Sequence, residues 1–523
     1  MLKISDLKFT ASADEAALCK KASAILHTKV ERCTVLRRSI DARKGVFFTY
    51  QIAVSLKNEQ RVLQKCRSAQ VSLYQPTTYR VPETNKTFPK PPIVVGSGPA
   101  GLFAALILAQ SGAKPILLER GDAVEVRREK VQKFWRDGIL DETSNVQFGE
   151  GGAGTFSDGK LNTGTKDIRH RFILEQFVRF GAPESILTDA KPHIGTDRLF
   201  TVLQNMRRHL LSLGAEIRFR HQLTGLECAD GRVTAAKVTA DGKTYREETD
   251  AVILALGHSA RDTFALLRDL GFAMEQKPFA VGVRIEHRQA DMDAAQYKNY
   301  AGHPSLPPTS YQLAYHTADG RGVFSFCVCP GGSVVAAASE KNRVVTNGMS
   351  EYARDGENIN GGLLVSVTPE DFPSAGALAG VAFQRDLEDR AFSLGGGNYA
   401  APAQTVGDFL AHRASTKGGK VEPSYRPAVR WCDLHDCLPD FICRALEEAL
   451  PALGRKIKGF DSPDAVLTAV ETRSSSPVRI LRDETYQASW RGVFPCGEGA
   501  GYAGGIISAA SDGIRCAEQI IIY

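Results

Sequence analysis

The stretch 91–121, PPIVVGSGPAGLFAALILAQSGAKPILLERG, constrains the fold of this chain more than any other. Its short apolar run, IVV, has the composition of a buried parallel strand, and it leads into the spacing Gly96-x-Gly98-x-x-Gly101. Gly96 permits the tight turn from strand to helix, Gly98 leaves room for a pyrophosphate, and Gly101 lets the helix pack closely on the strand. The segment therefore predicts a unit that binds a dinucleotide at a helix N-terminus.

An acidic residue at the end of the next strand supports this interpretation. The strand KPILLE ends at Glu119, about twenty residues after the glycines, where a carboxylate accepts hydrogen bonds from ribose hydroxyls. A carboxylate also repels a 2′-phosphate, which disfavours NADP here. The contacts that we predict from this unit are Gly96, Ser97, Gly98, Pro99, Ala100, Gly101, Glu119 and Arg120.

Length and composition set the outer bounds. A chain of 523 residues is too long for one core, so we expect two or three domains. The net charge of +6 is too mild to argue for nucleic acid, and no apolar run is long enough to span a membrane. Eleven cysteines without zinc-like spacing favour a reduced, cytoplasmic setting, and the N-terminus lacks the features of a signal peptide.

The pattern of strands and helices predicts an α/β protein in three parts. Residues 1–90 are expected to form a small α+β domain that ends in a Pro-rich linker over 79–92. Its basic string RRSIDARK (37–44) is interpreted as a solvated turn, with a docking or phosphate site as the alternative. A Rossmann-like cofactor domain is predicted over 91–280 and 465–523, with 281–464 inserted as a mixed α+β substrate domain.

Three later segments bear on whether the dinucleotide is FAD or NAD. The glycine-rich stretch 148–164, FGEGGAGTFSDGKLNTG, offers backbone N–H groups to a large ligand, although a flexible surface loop has the same composition. In 250–262 an apolar strand runs into ALG, and in 492–520 a strand reaches GEG before a long helix. Predicted contacts from these parts are Gly151, Gly152, Ala153, Gly154, Leu223, Gly257, Gly497, Glu498, Gly504, Gly505 and Ile506.

Together these segments resemble the glutathione-reductase-type FAD superfamily. More narrowly, the chain is similar to an uncharacterised bacterial family of FAD-dependent dehydrogenases through strings such as RRSIDAR (37–43), GEGGAGTFSDGKL (149–161), KPHIGTDRL (191–199), LGHSARDTF (256–264), PFAVGVRIEH (278–287), FSFCVCPGG (324–332), RDGENINGG (354–362), APAQTVGDFL (401–410) and TRSSSPVRI (472–480). The resemblance implies FAD as cofactor. It also implies that Glu498, where Asp is usual, binds the ribityl chain, and that the following helix directs its N-terminus at the flavin. No motif for a second nucleotide is evident.

The candidate catalytic residues lie where the resemblance places the flavin ring. Lys160 is expected to stabilise anionic flavin or bind an acidic substrate, and Asp158 to relay a proton; a turn cap and a solvated lysine are the alternatives. Arg473 opens RSSSP and is expected to converge with Lys160 as an anion clamp, against the alternative of an exposed polar turn. We predict no metal site.

Cys327 and Cys329, in CVC, would point to one face of a strand and suit a redox dithiol, although buried cysteines are usually inert; Cys496 is open to the same two interpretations.

These patterns favour a flavin-dependent dehydrogenase or reductase that acts on a small, anionic molecule with an unidentified electron donor or acceptor. Two alternatives stay open at this point. The basic string in the N-terminal domain suggests a flavin-dependent RNA-modifying enzyme, although a sustained basic stripe with aromatics is missing. A non-catalytic flavin-bound sensor is the other alternative.

Overall fold

The N-terminal unit is an antiparallel four-stranded sheet, of order β2–β3–β1–β4, covered by helices. A computed structural model describes residues 1–522. The alternating apolar positions of the first strand are buried, and Asp14 caps the first helix by accepting a hydrogen bond from the Ala17 N–H at 2.8 Å. The elements are β1 (Leu2–Phe9), α1 (Glu15–Leu26), β2 (Cys33–Asp41), β3 (Phe47–Val54), α2 (Glu59–Lys65) and β4 (Val71–Leu73).

The basic string is not a solvated turn over its first half. Residues 37–41 lie in β2, where Arg38 pairs with Tyr50 of β3. The Arg38 guanidinium binds Asp189, at 2.8 and 3.0 Å, and its backbone pairs with residues 188 and 190. The turn prediction is wrong here because the strand gains both a sheet partner and a docking partner distant in sequence.

The segment 79–92 packs along the last helix of the chain. The Tyr79 hydroxyl donates to Glu518 at 2.8 Å, and the Lys86 ammonium donates to the Ile520 carbonyl at 2.9 Å. These contacts fix the path of the predicted linker.

A parallel five-stranded sheet of order β23–β11–β5–β6–β7 forms the Rossmann-like domain, which confirms the predicted fold class. Three strands (β8, β9 and β10) form a separate antiparallel sheet of the same domain. Its first elements are β5 (Ile93–Val95), α3 (Pro99–Gln110), β6 (Ile116–Glu119), α4 (Val124–Asp137), α5 (Arg169–Arg179), α6 (Thr196–Ser212), β7 (Glu216–Phe219), β8 (His221–Ala229), β9 (Arg232–Ala240), β10 (Lys243–Glu248), β11 (Val252–Leu254), α7 (Arg261–Asp269) and β12 (Met274–Gln276).

The second domain is built on a seven-stranded sheet of order β14–β15–β18–β13–β21–β19–β20. Its elements are β13 (Phe279–Arg288), α8 (Gln289–Tyr297), β14 (Ala314–His316), β15 (Gly322–Cys329), β16 (Ser333–Ala336), β17 (Thr346–Met349), β18 (Asn358–Val367), α9 (Ala379–Leu394), β19 (Ala401–Thr405), α10 (Val406–Leu410), β20 (Val429–Trp431), α11 (Asp440–Gly454) and β21 (Val466–Glu471).

The chain then returns to the first domain through β22 (Val478–Ile480), β23 (Val493–Pro495) and α12 (Ile506–Ile522). The return lies later than the expected boundary at 464/465, because β21 pairs with β13 and β19 of the second sheet. The entry lies slightly earlier than 281, since β13 begins at Phe279. Among the described residues, no helix is both long and apolar enough to cross a bilayer.

Candidate active site

A deep cleft opens at the carboxyl ends of β5, β11 and β23, where segments far apart in sequence meet. Its empty volume is about 1820 Å³, the open mouth included. The walls carry most of the predicted contacts: Gly96, Ser97, Gly98, Pro99, Ala100, Glu119, Arg120, Gly152, Ala153, Gly154, Leu223, Gly257, Gly497, Glu498, Gly504, Gly505 and Ile506. Such a crevice at the carboxyl ends of parallel strands is where open α/β sheets bind ligands.

Two predicted contacts lie behind the cleft wall instead. A Cβ on Gly101 would stand 1.8 Å from the Gly96 carbonyl oxygen, so this glycine serves the packing of helix on strand. The Gly151 N–H donates to the Ser97 carbonyl at 2.9 Å, which fastens the glycine-rich segment to the β5–α3 turn. Both residues shape the cleft without lining it.

The Glu119 carboxylate organises the end of β6. It accepts hydrogen bonds from the N–H and hydroxyl of Ser97, at 2.9 and 2.7 Å, and from the N–H groups of Gly121 and Gly149, at 2.9 and 3.0 Å. Beside it the Arg120 guanidinium lies over the Phe148 ring, at 4.4 Å, and pairs with Asp262 at 2.9 Å. These contacts hold one end of the cleft in a fixed shape.

The Arg127 guanidinium is fully buried inside residues 145–156, which include the first part of the glycine-rich stretch 148–164 and which we call the glycine loop. It donates to the carbonyls of Asn145, Val146, Gly149, Glu150 and Gly152 at distances of 2.6–3.2 Å. Because burial lowers the pKa of Arg127 only to about 10, the group stays charged near neutral pH. The glycine loop is therefore wound around a cation, which makes it a fixed wall of the cleft and not a flexible surface loop.

The predicted catalytic residues Asp158 and Lys160 lie together, 3.6 Å apart, in the part of the cleft that adjoins the second domain, which we call the far end. The buried Asp158 carboxylate is held by Arg354 through two bonds, at 2.9 and 2.5 Å. The Lys160 ammonium donates to the Val328 carbonyl. Lys160 is only partly buried and faces the cleft.

Arg473 also reaches the cleft, but most of its donors are already used. Its guanidinium binds the buried Glu388 carboxylate at 3.0 and 3.1 Å, and it donates to the hydroxyls of Ser259 and Ser339 at 3.0 and 2.5 Å. Arg261 holds the same Glu388 at 2.7 and 2.8 Å. Arg473 is thus not part of an exposed polar turn, because it belongs to a buried ion cluster that joins the two domains. Its role as an anion clamp with Lys160 stays a prediction.

Sequence reasoning missed Glu471 at the far end and the buried Arg284 that pairs with it. Glu471, the last residue of β21, lines the cleft, and its carboxylate lies 3.1 Å from the buried Arg284 guanidinium. Burial raises the pKa of Glu471 to about 7, although Arg284 opposes the shift. The one signal was its position immediately before TRSSSP, and nothing local distinguishes it from an ordinary strand residue.

Comparison with known proteins decides the family. Residues 90–267 match the model of the pyridine nucleotide-disulphide oxidoreductases, 278–474 match a model described as FAD-dependent protein, C-terminal domain-like, and 1–55 match a domain of unknown function. An uncharacterised protein of Clostridium beijerinckii is 46% identical over 512 residues, which are 97% of this chain and 95% of that protein. The chain belongs to an FAD-dependent oxidoreductase family.

More distant similarities either cover a small part of the chain or are low in sequence identity. The aklavinone 12-hydroxylase DnrF of Streptomyces peucetius is 30% identical over 150 residues, which are 27% of this chain and 30% of that one. A geranylgeranyl bacteriochlorophyll reductase-like structure from Thermoplasma acidophilum has a TM-score of 0.36 at 12% identity, with 83% of this chain and 78% of that chain covered.

The cleft is lined by glycine backbone without side chains, which leaves room for FAD. A Cβ on Gly257, Gly504 or Gly505 would meet nothing within 4 Å, and one on Gly98 would meet only the Gly152 Cα at 3.8 Å. Gly98 is the N-cap of α3 and has no side-chain capping bond, so the N–H groups of the first turn are free for an anion. Open glycines around two helix N-termini are what a pyrophosphate and a flanking ring system require.

The Glu498 carboxylate faces the same cleft, and within residues 1–522 it has no hydrogen-bond partner. Burial raises its pKa from the usual 4.5 to about 7, while nearby Lys277 opposes the shift. An unpaired carboxyl group at this point can bind a hydroxyl of the cofactor, as expected for the ribityl chain.

The first prediction concerns Arg127. Arg127→Met should destabilise the protein by at least ~3 kcal/mol, because several buried carbonyls lose their donor at about 1–3 kcal/mol each. The urea midpoint and the rate of proteolysis within 145–156 measure this. Arg128→Met, one residue along α4, is the matched control; equal midpoints for the two variants would contradict the role of Arg127.

The second prediction concerns Gly98. Gly98→Val should fold normally, since the backbone is extended and the space is open, but should bind FAD at least ~10-fold more weakly, a loss of about 1.4 kcal/mol. Thermal denaturation and FAD content after desalting test both halves. Gly164→Val, on an exposed loop with open space, is the control. A Gly98→Val protein that is fully loaded with FAD would contradict the assignment.

The third prediction concerns pH. In the folded apoprotein the Glu498 carboxyl keeps its proton up to about pH 7, whereas in the unfolded chain it loses its proton near pH 4.5. Between these two values the unfolded state binds fewer protons, so the contribution of this carboxyl to the free energy of unfolding should fall as pH rises. Glu498→Gln should therefore raise the urea midpoint of the apoprotein above pH 7 and leave it unchanged below pH 4.5. The exposed Glu184→Gln is the control, and a parallel shift at all pH values would speak against this account.

Proposed function

We propose that this enzyme oxidises or reduces a small anionic molecule by hydride exchange with FAD. The observation that carries the proposal is one continuous cleft whose near end is bare backbone for a dinucleotide and whose far end holds Lys160, Glu471 and Cys327. The assignment to the uncharacterised FAD-dependent dehydrogenases, within the glutathione-reductase-type superfamily, is part of this proposal.

When bound, FAD supplies the redox chemistry by taking up or giving two electrons. The protein has to hold the substrate and manage its proton. Lys160 is the group that we propose binds the substrate's carboxylate or phosphate. Arg354 and Lys160 share the one Asp158 carboxylate, so the three groups keep a net positive charge, and the Lys160 ammonium is the part of it that faces the cleft.

Glu471 is our candidate for the proton transfer. A carboxyl group with a pKa of about 7 is populated in both protonation states near neutral pH, which suits a general acid or base. Arg284 fixes the orientation of the carboxylate from behind, at 3.1 Å. In this proposal Asp158 anchors Lys160 through charge and does not relay the proton itself.

Arg473 takes a positioning role in the proposal. It ties Ser259, next to the cleft residue His258, to Glu388 of the second domain. The cleft residues of both domains are thereby held in register around the ligand.

The RNA-modifying alternative loses part of its motivation. The first half of the basic string that suggested it lies in β2, where Arg38 binds Asp189, and just beyond the strand Arg43 binds Asp41. We therefore favour the small-molecule substrate, and the electron partner is left open.

Lys160→Met should retain FAD but lower kcat/KM by ~10²-fold, because one charged donor to the substrate is removed. A panel of carboxylates and phosphates, screened anaerobically for bleaching or reoxidation of the flavin, would identify the substrate, and matched neutral esters would show the charge preference. Lys166→Met, in the same segment, is the control. Equal rates for acids and esters, or an unchanged Lys160→Met enzyme, would contradict the proposal.

A further inference from the structure

The CVC sequence of β15 does not continue as a regular strand. The pairing with β18 shifts in register between Phe326 and Cys329, and Cys327 has a φ of 39°, in the left-handed region. A regular strand would point both side chains to one face of the sheet and hold them a full repeat apart. The bulge breaks that arrangement, and the Cys329 thiol turns back on its neighbour, where it donates a hydrogen bond to the Cys327 carbonyl at 3.3 Å.

The two cysteines differ in their access to the cleft. Cys327 lines the far end, in the same wall as Lys160 and Glu471, whereas Cys329 lies behind it and is fully buried. The intervening Val328 carbonyl accepts the bond from the Lys160 ammonium. The Arg284 guanidinium donates to the Cys327 carbonyl at 3.0 Å and approaches the Cys329 sulfur at 3.8 Å. Two cations therefore flank a half-buried thiol that lines the cleft and a fully buried thiol behind it.

We propose that Cys327 and Cys329 are a redox-active dithiol that exchanges two electrons with the FAD in the cleft. In the forward direction an S–S bond forms between the Cys327 thiolate and Cys329, the Cys329 S–H bond breaks and its proton leaves, and two electrons pass to the oxidised FAD. The reverse step reduces the disulfide. This goes beyond the proposed function, because it gives the flavin an internal electron partner besides the substrate.

The electrostatic environment suits a pair in which one cysteine is the reactive thiolate and the other stays protonated. The neighbouring Cys329 side chain, together with Lys160 and Arg284, lowers the pKa of Cys327 to about 6 against its burial. The pKa of Cys329 is raised by the Cys327 side chain and by burial. The group that faces the cleft is then the thiolate, which is the reactive form, and its neighbour keeps its proton until the bond forms.

Another close pair shows the contrast. Cys496 and Cys516 are also neighbours, and both are buried. Cys496 lines the cleft, but its pKa is raised, by the Cys516 side chain and by burial. This pair lacks a thiolate on the cleft side and serves as an internal control.

The test is a reductive titration of the FAD-loaded protein. Protein oxidised with diamide, freed of reagent and made anaerobic should consume twice as much dithionite per FAD as protein first reduced with dithiothreitol. Alkylation under denaturing conditions and peptide mapping should show the bond directly: in the oxidised sample residues 327 and 329 escape alkylation and their peptide is lighter by two hydrogens.

Cys329→Ser should abolish the additional dithionite equivalent, whereas Cys516→Ser should leave it intact. Mapping of the wild-type protein does not depend on either variant's folding. If residues 327 and 329 stay fully alkylatable after diamide, the proposal is overturned. It is equally overturned if the bond forms but survives complete reduction of the flavin. Neither result affects the Lys160 experiment, which reports on substrate turnover.

Discussion

The Arg127 guanidinium inside the glycine loop is the contact on which the cofactor site depends. A chain with this many glycines has a large conformational entropy in the unfolded state, and it needs a strong local organiser to form one wall of a cleft. The buried cation supplies it by donating hydrogen bonds to five backbone carbonyl groups of the loop. A Cβ on Gly149 would stand 2.3 Å from the Arg127 side chain, so loop and cation fit only as a pair.

A second buried charge cluster holds the two domains together. The Glu388 carboxylate of α9 forms ion pairs with Arg261 of α7 and with Arg473, which follows β21 in the chain. The Glu340 carboxylate lies 2.5 Å from the Arg261 guanidinium. The two arginines together hold the pKa of Glu388 well below its usual range despite its burial. Buried ion pairs contribute little net stability compared with apolar packing, but removal of one partner is costly. Such a cluster therefore specifies how the domains meet, and the cleft lies at that junction.

The features that could be predicted from the sequence are those that depend on local residue spacing. The glycine fingerprint, Glu119 and the late GEG segment each indicate a Rossmann-like fold, so the fold class and one wall of the cleft could be predicted. Arg127 could not be recognised, because in VEVRREKVQKFWRD it looks the same as its exposed neighbours. Glu471 and Glu388 acquire their surroundings only from tertiary contacts, and the docking of Arg38 on Asp189 joins segments 151 residues apart. The composition of 37–44 carries no information about such a partner.

The order of strands in the cofactor sheet has a consequence for biosynthesis. The central strand β5 precedes the second domain in the chain, yet it neighbours β11, and β11 in turn neighbours β23, which follows the second domain. The second domain is translated between them and is free to fold as a unit while the first sheet still has an open edge. The floor of the cleft, with Gly497 and the start of α12, is thus completed only after the second domain has been translated. Capture of the cofactor accordingly has to wait for that segment, and a nascent chain exposes the apolar surface of an unfinished sheet until then.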